Sequence, residues 1–377
     1  VAAPLPTLQV LRASDSQPCA ACQVYLSQTL QLKAEYDADG PSPLFGPQNV
    51  TTSSEWSSNN TAIATVDNAA QKGLVTGQGL SPPNAQAKAI YAYSPSDPQL
   101  RAYWKLDGNT SDSSGNGNTG TLTGGAWVNG KVKDALNFDG NDYVTIPDSP
   151  SFDLTNFTVM AWVRLGGSLT GYHRVVSQHN GGYWIILVHD NRYEVWLDKD
   201  LGPVGYASGP LNLNDSNWHH LAFTRDTAND VVITYVDGVP VGVTATPSNA
   251  SYALTQPVMI GAYGLDPTQQ TWVGDIDEVR VFNRVLNSTE MRQYGTVLEA
   301  FGDINVTLPD LTASLVDPDS AGTLIAGSTL TLQGTVSNIG TLAAVGIFNN
   351  RFEIDTNSSS FVTADPSINL ALQTITD

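Results

Sequence analysis

The residue types and spacing most suited to chemistry occur near residue 275, in the stretch Trp272-Val-Gly-Asp-Ile-Asp-Glu-Val-Arg-Val-Phe282. Alternate residues share one face of a β-strand, so Asp275 and Asp277 are expected on one face and Glu278 on the other. Two carboxylates on one face are the groups that glycoside hydrolysis requires. A carboxylate held against apolar neighbours can instead bind a hard cation such as calcium.

The elements that must position these carboxylates are predicted to be strands. The chain has 377 residues, enough for about two to four domains, and only 14% of them are charged. Ser, Thr, Asn and Gly are abundant, Val-Thr alternation recurs, and long helical periodicity is almost lacking. This pattern predicts an all-β chain built from sandwiches.

The charge balance restricts the partners. The chain carries 36 acidic against 17 basic residues, a formal net charge of -19. Nucleic-acid binding needs clustered Lys and Arg to neutralise phosphates, so that partner is not expected. The sequence contains no apolar run of 18 residues, and a transmembrane segment is not expected either.

Two further features of the sequence are compatible with export of the protein from the cell. Asn-x-Ser/Thr sequons, the acceptor pattern of N-glycosylation, recur at Asn49, Asn59, Asn109, Asn156, Asn214, Asn249, Asn287, Asn305 and Asn357. The two cysteines, Cys19 and Cys22, lack the further ligands of a zinc site and the βαβ context of a redox motif. A local disulfide is favoured, with free thiols as the alternative.

Residues 1–98 contain short predicted strands with turn residues between them. Their motifs are the Tyr-Asp-Ala-Asp-Gly turn, Val-Thr followed by Trp56-Ser-Ser-Asn, Ala-Thr-Val-Asp and Gly-Leu-Val-Thr-Gly. This segment resembles the bacterial Ig-like group 2 family, whose modules are spacers or adhesive stalks. Trp56 is then expected in the core of a sandwich.

Residues 99–300 carry seven motifs in one order. They are Asp-x-Ser-Gly-Asn-Gly-Asn, Phe-Asp-Gly-x-x-Asp-Tyr-Val, Phe-Thr-x-x-Ala-Trp-Val, Trp-His-His-Leu-Ala, Tyr-Val-Asp-Gly, Ile-Gly and Gly-x-Ile-Asp-Glu-Val-Arg-Val-Phe-Asn-Arg-Val-Leu. The segment resembles the laminin G-like, concanavalin A-like jelly-roll family. The resemblance implies a two-sheet antiparallel sandwich.

The same resemblance implies a structural calcium ion near the rim of the jelly roll. It selects Asp112, from the early Gly-rich loop, and Asp277, from the last strand, as side-chain ligands. Oxygens from the nearby turns, represented by Asn116 and Asp139, would complete the set. Such an ion would connect the first and last strands.

Residues 301–377 resemble the front of a CARDB module, an Ig-like family of surface proteins. The resemblance rests on the motifs Pro-Asp-Leu-Thr, Gly-Ser-Thr-Leu-Thr-Leu and Val-Ser-Asn-Ile-Gly-Thr. About two strands of a seven-stranded sandwich are expected beyond residue 377. Either the chain continues there or another molecule supplies the strands, because an uncovered sheet edge aggregates.

No enzyme motif accompanies these segments. The chain has no E-x-D-x-E strand, G-x-S-x-G, H-E-x-x-H or phosphate-binding Gly-rich loop. His219 and His220 are consecutive in a predicted strand, so one is expected at the surface and the other in the core. The prediction is therefore a protein without catalytic activity.

Aromatic residues crowd the central segment and favour a binding surface instead, because aromatic faces stack on sugar rings. Trp184 and Trp196 lie in alternating strands and are expected to be buried. Tyr172, Tyr206 and Tyr263 lie beside Gly-rich loops and are the candidate ligand-binding residues.

Two functions follow from these observations. The first is a secreted or cell-surface adhesion protein whose jelly roll binds glycan or a surface protein, with Ig-like modules as spacers. The second is a structural subunit of an extracellular filament or sheath, which self-associates head-to-tail because a neighbour completes the C-terminal sandwich.

Overall fold

The computed structural model describes most of the chain up to residue 307 and four strands beyond it. The described residues are 6–38, 46–81, 84–167, 170–179, 183–190, 192–198, 213, 215–245, 254–263, 270–307, 311–316, 333–338, 351–354 and 365–369. They form strands, one α-helix and one short 3-10 helix. The predicted all-β class is confirmed.

The N-terminal strands form a sandwich of two sheets. Their bounds are β1 Thr7–Arg12, β2 Cys22–Tyr25, β3 Thr29–Asp37, β4 Gln48–Asn49, β5 Glu55–Ser58, β6 Ala64–Val66, β7 Leu74–Gly77 and β8 Ala85–Ala92. One sheet has the order β1-β3-β7-β6, with β4 beside β3. The core between the sheets contains Trp56, which is 3% exposed, as expected. Cys19 and Cys22 form a disulfide at the rim of this core.

The second sheet of this sandwich is completed by a strand from far along the chain. Strand β23, Val297–Thr307, pairs antiparallel with β8 and parallel with β2. Its alternate residues Ala300, Ile304 and Val306 are buried in the sandwich core. The boundary predicted between residues 300 and 301 lies inside this strand, because its period-two pattern continues without interruption across that point.

The jelly roll is therefore an insertion between two neighbouring strands of the N-terminal sandwich. Its strands are β9 Leu100–Trp104, β10 Thr121–Thr123, β11 Ala126–Asn129, β12 Asp134–Asp139, β13 Tyr143–Ile146, β14 Phe157–Leu165, β15 Tyr172–His179, β16 Tyr183–His189, β17 Arg192–Asp198, β18 His219–Asp226, β19 Val231–Val236, β20 Val239–Ala245, β21 Val258–Ile260 and β22 Val273–Phe282. The 3-10 helix is Pro150–Phe152 and the α-helix, α1, is Ser288–Tyr294.

Two sheets enclose the core of the insertion. One has the order β10-β13-β21-β15-β16-β17 and the other β11-β12-β22-β14-β18-β19-β20, with β9 also paired to β22. Trp104, Trp184 and Trp272 are fully buried in the core between them. Burying such large side chains stabilises the sandwich by roughly 25 cal/mol for each Å² of apolar surface removed from water.

A bulge in β22 changes the predicted facing of its acidic residues. Glu278 has φ 55°, and the register with β14 shifts at this point. Ile276 and Val279 both face the core. Because the bulge adds a residue between them, Asp277 and Glu278 share the outer face of the sheet. The strict alternation expected from the sequence, with Asp277 and Val279 on one face, is therefore wrong beyond Asp277.

Helix α1 covers part of this outer face. Asn287 caps the helix: its side chain accepts hydrogen bonds from the amides of Thr289 and Glu290, and the Glu290 carboxylate accepts one from the Asn287 amide. Met291 and Tyr294 of the helix pack on Phe282 of β22. The order Asn287-Ser-Thr-Glu290 is the capping-box spacing, and it fixes where the helix begins.

The remaining strands form two antiparallel pairs, β24 Leu311–Val316 with β25 Gln333–Asn338 and β26 Arg351–Ile354 with β27 Asp365–Asn369. The Ig-like and CARDB-like resemblances of the flanking segments stay predictions. None of the helices among the described residues is long and apolar enough to cross a membrane.

Candidate ligand-binding site

The outer face of the six-stranded sheet carries a cluster of aromatic and charged side chains, built by β15, β16 and β17. Trp184, Ile186, Val188, Tyr193, Val195 and Leu197 point into the core. The residues between them in β16 and β17 must therefore point outward. We call the outward group Tyr172, Arg174, His189, Glu194, Trp196 and Tyr263 the aromatic cluster.

Tyr172 is the centre of the stacked part of the aromatic cluster. Its ring lies on the imidazole of His189, with centroids 3.9 Å apart and planes inclined by 18°. Trp196 contacts Tyr172 edge-on, with centroids 5.0 Å apart and an interplanar angle of 67°. Offset stacking and edge contacts are the favoured geometries of aromatic rings, so both contacts fix the orientation of Tyr172.

Arg174 joins the aromatic rings through its guanidinium group. The guanidinium carbon lies 4.9 Å from the ring centroid of Trp196, 5.3 Å from that of Tyr263 and 5.8 Å from that of Tyr172. Arg174 is only 2% exposed, and its Nε donates to Gln270 Oε1 at 2.7 Å. A desolvated cation among three rings strengthens each cation–π contact, so Arg174 acts as the scaffold of the cluster.

Tyr263 follows β21 and reaches the cluster from the neighbouring strand. Its hydroxyl lies 3.2 Å from Nε2 of His179, and the two rings have centroids 4.8 Å apart. Tyr172 and Tyr263, both selected from the sequence, are thus brought to one site around Arg174. Tyr206, the third candidate, lies outside the described residues.

Glu194 supplies the acceptor group of the cluster. Its Oε2 accepts from Trp196 Nε1 at 2.9 Å, and its Oε1 lies 3.2 Å from His189 Nδ1. The carboxylate therefore fixes the indole and the imidazole together. Half-buried Tyr172, His189 and Trp196 rings with a nearby carboxylate are suited to stacking on a ligand ring and hydrogen bonding to its substituents.

The expectation that Trp196 is buried in the core is wrong. In the register of β16 with β17, Trp184 lies opposite Leu197, and both side chains point into the core. The next residue back, Trp196, therefore points to the outer face. The sequence contained this signal, since Trp196 alternates in step with Arg192 and Glu194. The contributions of Arg174 and His189 could not be predicted, because they depend on the pairing of β15 with β16.

Asp112, the first predicted calcium ligand, accepts hydrogen bonds from three backbone amides with its carboxylate. Its Oδ1 accepts from the amides of Tyr103 at 3.0 Å and Ser114 at 2.8 Å, and its Oδ2 accepts from Asn118 at 2.9 Å. These bonds close the Gly-rich loop on β9. The loop is ordered by the carboxylate itself, which is the ordinary use of Asp in turns.

Asp277, the second predicted ligand, belongs to a separate hydrogen-bond system. Its Oδ2 accepts from the amides of Lys131 at 2.8 Å and Val132 at 3.0 Å. Its Oδ1 is buried and has no hydrogen-bond partner. Burial raises the pKa of Asp277 well above its usual range, and the neighbouring Glu278 carboxylate adds to this effect.

The other two predicted ligands also make local contacts. Asn116 Nδ2 donates to the carbonyl of Leu100 at 2.8 Å, and Asp139 Oδ1 accepts from the amide of Asn141 at 3.1 Å. Within the described ranges, no three His, Cys, Asp or Glu side chains group as a metal site. The residues present do not fit a preformed calcium site, and the calcium ion stays a prediction.

Asp275, the other half of the possible acid–base pair, is neutralised by a cation. Its Oδ2 accepts from Arg164 Nε at 2.7 Å, and its Oδ1 accepts from Asn137 Nδ2 at the same distance. The guanidinium of Arg164 thus compensates the charge of the Asp275 carboxylate. Asp275 and Asp277 therefore have different partners and different electrostatic environments on one face.

The two consecutive histidines have opposite environments. His219 lies between two carboxylates, with Nδ1 3.0 Å from Asp237 and Nε2 3.1 Å from Asp215. The hydrogen bond to Asp237 raises the pKa of His219. His220 is fully buried, and burial lowers its pKa to about 3. Neither arrangement places the two imidazoles on one ligand.

One family model matches part of the inserted domain. Residues 138–292 match the family model described as the concanavalin A-like lectin/glucanases superfamily. The match supports the concanavalin A-like resemblance over this segment. The match includes every strand that contributes to the aromatic cluster. No protein with a curated description matches the chain.

Several solved structures are similar to about half of the chain. Domain 4 of AbnA, a GH43 extracellular arabinanase from Geobacillus stearothermophilus, in complex with arabinotriose, is 22% identical. The similarity covers 52% of this chain and 98% of that domain, with a TM-score of 0.46.

Two toxin structures are also similar. The binding domain of Paraclostridial Mosquitocidal Protein 1 is 16% identical, covering 53% of this chain and 52% of that one, with a TM-score of 0.44. The Botulinum neurotoxin serotype G binding domain is 17% identical, covering 52% and 50%, with a TM-score of 0.42. This chain thus spans about half the length of the two toxin domains. At these identities and TM-scores, none of the three structures assigns a ligand to this chain.

Proposed function

We propose that this protein is a secreted or cell-surface adhesion protein whose inserted jelly roll binds glycan through the aromatic cluster. The observation that carries the proposal is the arrangement of Tyr172, Trp196 and Tyr263 around the buried guanidinium of Arg174. Aromatic rings fixed in advance bind a sugar ring with little loss of conformational entropy. The concanavalin A-like match supports a ligand-binding domain.

The position of the cluster in the fold supports the same function. The N-terminal sandwich and helix α1 lie against the outer face of the eight-stranded sheet, where Tyr93 contacts Tyr294. The aromatic cluster lies on the outer face of the opposite sheet. A ligand at the cluster therefore does not compete with the N-terminal sandwich, which is suited to act as a spacer.

Retention on insoluble polysaccharides tests the proposal with the full 377-residue chain. The wild-type protein should be retained on at least one polysaccharide, and Trp196→Ala should pass through. Trp127→Ala is the matched control, because Trp127 is 38% exposed on β11 of the other sheet and lies outside the cluster. Passage of the wild-type protein through every polysaccharide would count against glycan binding. Release of reducing sugar from the retained polysaccharide would show a glucanase instead.

A further inference from the structure

A polar crevice lies between the N-terminal sandwich and the outer face of the eight-stranded sheet. Its volume is about 520 Å³. Thr52, Glu55 and Lys72 line it on the sandwich side, and Lys105, Asp107 and Ser113 line it on the jelly-roll side. Small-molecule sites have volumes of roughly 300–1,000 Å³ and occur preferentially between domains, so the crevice has the size and the position of such a site.

The walls of the crevice are fixed relative to each other. Arg284 bonds to Asp97, which lies between β8 and β9, and to Glu290 in helix α1, at 2.6 Å each. The rings of Tyr93 and Tyr294 have centroids 5.1 Å apart. Strands β8 and β23 also connect the jelly roll to the sandwich at both of its ends. The crevice is therefore preformed, which reduces the entropy lost when a ligand binds.

The charged groups at the crevice largely compensate one another. Glu55 pairs with Lys72 at 3.1 Å, and Glu278 pairs with the buried Arg280. Asp97, which also lines the crevice, pairs with Arg284. Asp107 has the ammonium of Lys133 3.9 Å away, and the side chain of Lys105 is exposed. No excess of one sign faces the ligand, so a polyphosphate or a polycation does not fit the charge pattern.

The polar groups that line the crevice are suited to hydroxyl recognition. Asp107 offers carboxylate oxygens, Lys105 offers three N–H donors, and Ser113 and Thr52 offer hydroxyls that donate and accept. Donors and acceptors thus occur on both walls. We propose that this crevice is a second binding site, which holds a neutral hydroxyl-rich ligand such as a sugar ring, separate from the aromatic cluster. Only the choice of sugar as the ligand rests on the proposed function.

A substitution that fills the crevice gives a direct test. Ser113 is exposed and lines the crevice, so Ser113→Trp should exclude a ligand without disturbing the core. Ser111→Trp is the matched control, because Ser111 is exposed on the same loop but lies outside the crevice lining. Each is combined with Trp196→Ala in the full chain, so that the aromatic cluster does not contribute. The probes are neutral trisaccharides of arabinose, xylose, glucose and mannose, and saturation-transfer NMR reports their binding.

At least one trisaccharide should give saturable transfer to Trp196→Ala, and the added Ser113→Trp should abolish it while Ser111→Trp leaves it unchanged. Lys105→Ala should weaken the same binding about tenfold. Lack of saturable transfer to Trp196→Ala, or equal transfer to the Ser113→Trp and Ser111→Trp variants, would overturn the crevice site and leave the aromatic cluster untouched. If Ser113→Trp alone removes all binding and Trp196→Ala removes none, the crevice is supported and the proposed function of the cluster fails.

Discussion

Tyr172 and His189 form a parallel stack across β15 and β16, with ring centroids 3.9 Å apart. The two residues pair directly in the register of these strands, so the backbone sets the distance between their rings. Glu194 then holds the imidazole through a contact of 3.2 Å. The ligand-facing ring of the cluster is thus positioned by three neighbouring strands rather than by a loop, which favours a precise binding surface.

The buried ion pair on the opposite sheet should be sensitive to removal of one partner. Glu278 and Arg280 are both about 1% exposed, and both bond to the hydroxyl of Tyr103. Glu278→Gln leaves the guanidinium of Arg280 without its counter-charge and should lower the free energy of unfolding by about 3–5 kcal/mol. Tyr103→Phe removes only neutral donor and acceptor functions and should cost about 1–3 kcal/mol.

Urea denaturation measures both changes. Glu299→Gln is the matched control, since Glu299 pairs with Lys88 at 2.8 Å but its side chain is 45% exposed. An exposed pair contributes less than about 1 kcal/mol. Equal effects of Glu278→Gln and Glu299→Gln would show that the buried pair makes no special contribution to stability.

Asp107 should make stability depend on pH in the direction opposite to a salt-bridged carboxylate. Burial raises the pKa of Asp107 from 3.8 to about 6. Because the folded-state pKa is the higher one, the group's favourable contribution is complete below pH 3.8 and is lost as the pH rises through 6. Asp107→Asn should therefore stabilise the protein by about 1 kcal/mol at pH 8, after allowance for solvent screening, and give no gain at pH 3.5. Melting temperatures at the two pH values check this, and a difference independent of pH would contradict it.

His219 and His220 should titrate far apart although they are consecutive. The carboxylates of Asp237 and Asp215 raise the pKa of His219 above 6.5, whereas burial lowers that of His220 to about 3. The stabilising contribution of charged His219 is complete below pH 6.5 and is lost as the pH rises through its folded-state pKa. NMR titration of the assigned imidazole carbons should show the His219 signal titrating above pH 6.5 and the His220 signal unchanged down to pH 4. Asp237→Asn should shift the His219 titration to lower pH, and an unchanged titration would exclude the pair as the cause.

Calcium removal tests the ion that the sequence resemblance implies. If Asp112 and Asp277 hold calcium, a chelator should lower the melting temperature and added calcium should restore it, because a ligand of the folded state stabilises by mass action. If a proton on Asp277 instead replaces the cation, the transition should not move with either treatment. Asp277→Asn should then leave stability near neutral pH within about 1 kcal/mol of wild type, because the neutral amide replaces a neutral acid.

The sequence predicts strands and motifs better than it predicts their connections. Alternation predicts β22 as a strand, and the segment with His219 and His220 is likewise β18. That Val297–Thr307 returns to the first sandwich was not predictable, because pairing with β8 is a contact between strands about 200 residues apart. Local patterns carry no information about which distant edge a strand completes.

The candidate site shows the same limit. Tyr172 and Tyr263 were selected because of their neighbouring glycines, and the pairing of β15 with β21 brings them together. The bulge at Glu278 was not visible in the sequence, since a left-handed conformation at a glutamate follows no local preference. Because of this bulge, Glu278 lies on the same face of the sheet as Asp277, and Val279 lies on the opposite face.

Titration calorimetry of the full chain with a soluble fragment of the retained polysaccharide tests the central claim, that the aromatic cluster binds glycan. Truncating a tryptophan that acts as a binding hot spot costs roughly 1–3 kcal/mol. Trp196→Ala should therefore weaken binding by about 5- to 150-fold, with Trp127→Ala indistinguishable from wild type. Equal dissociation constants for Trp196→Ala and the wild-type protein, with both variants folded, would contradict the assignment of the site.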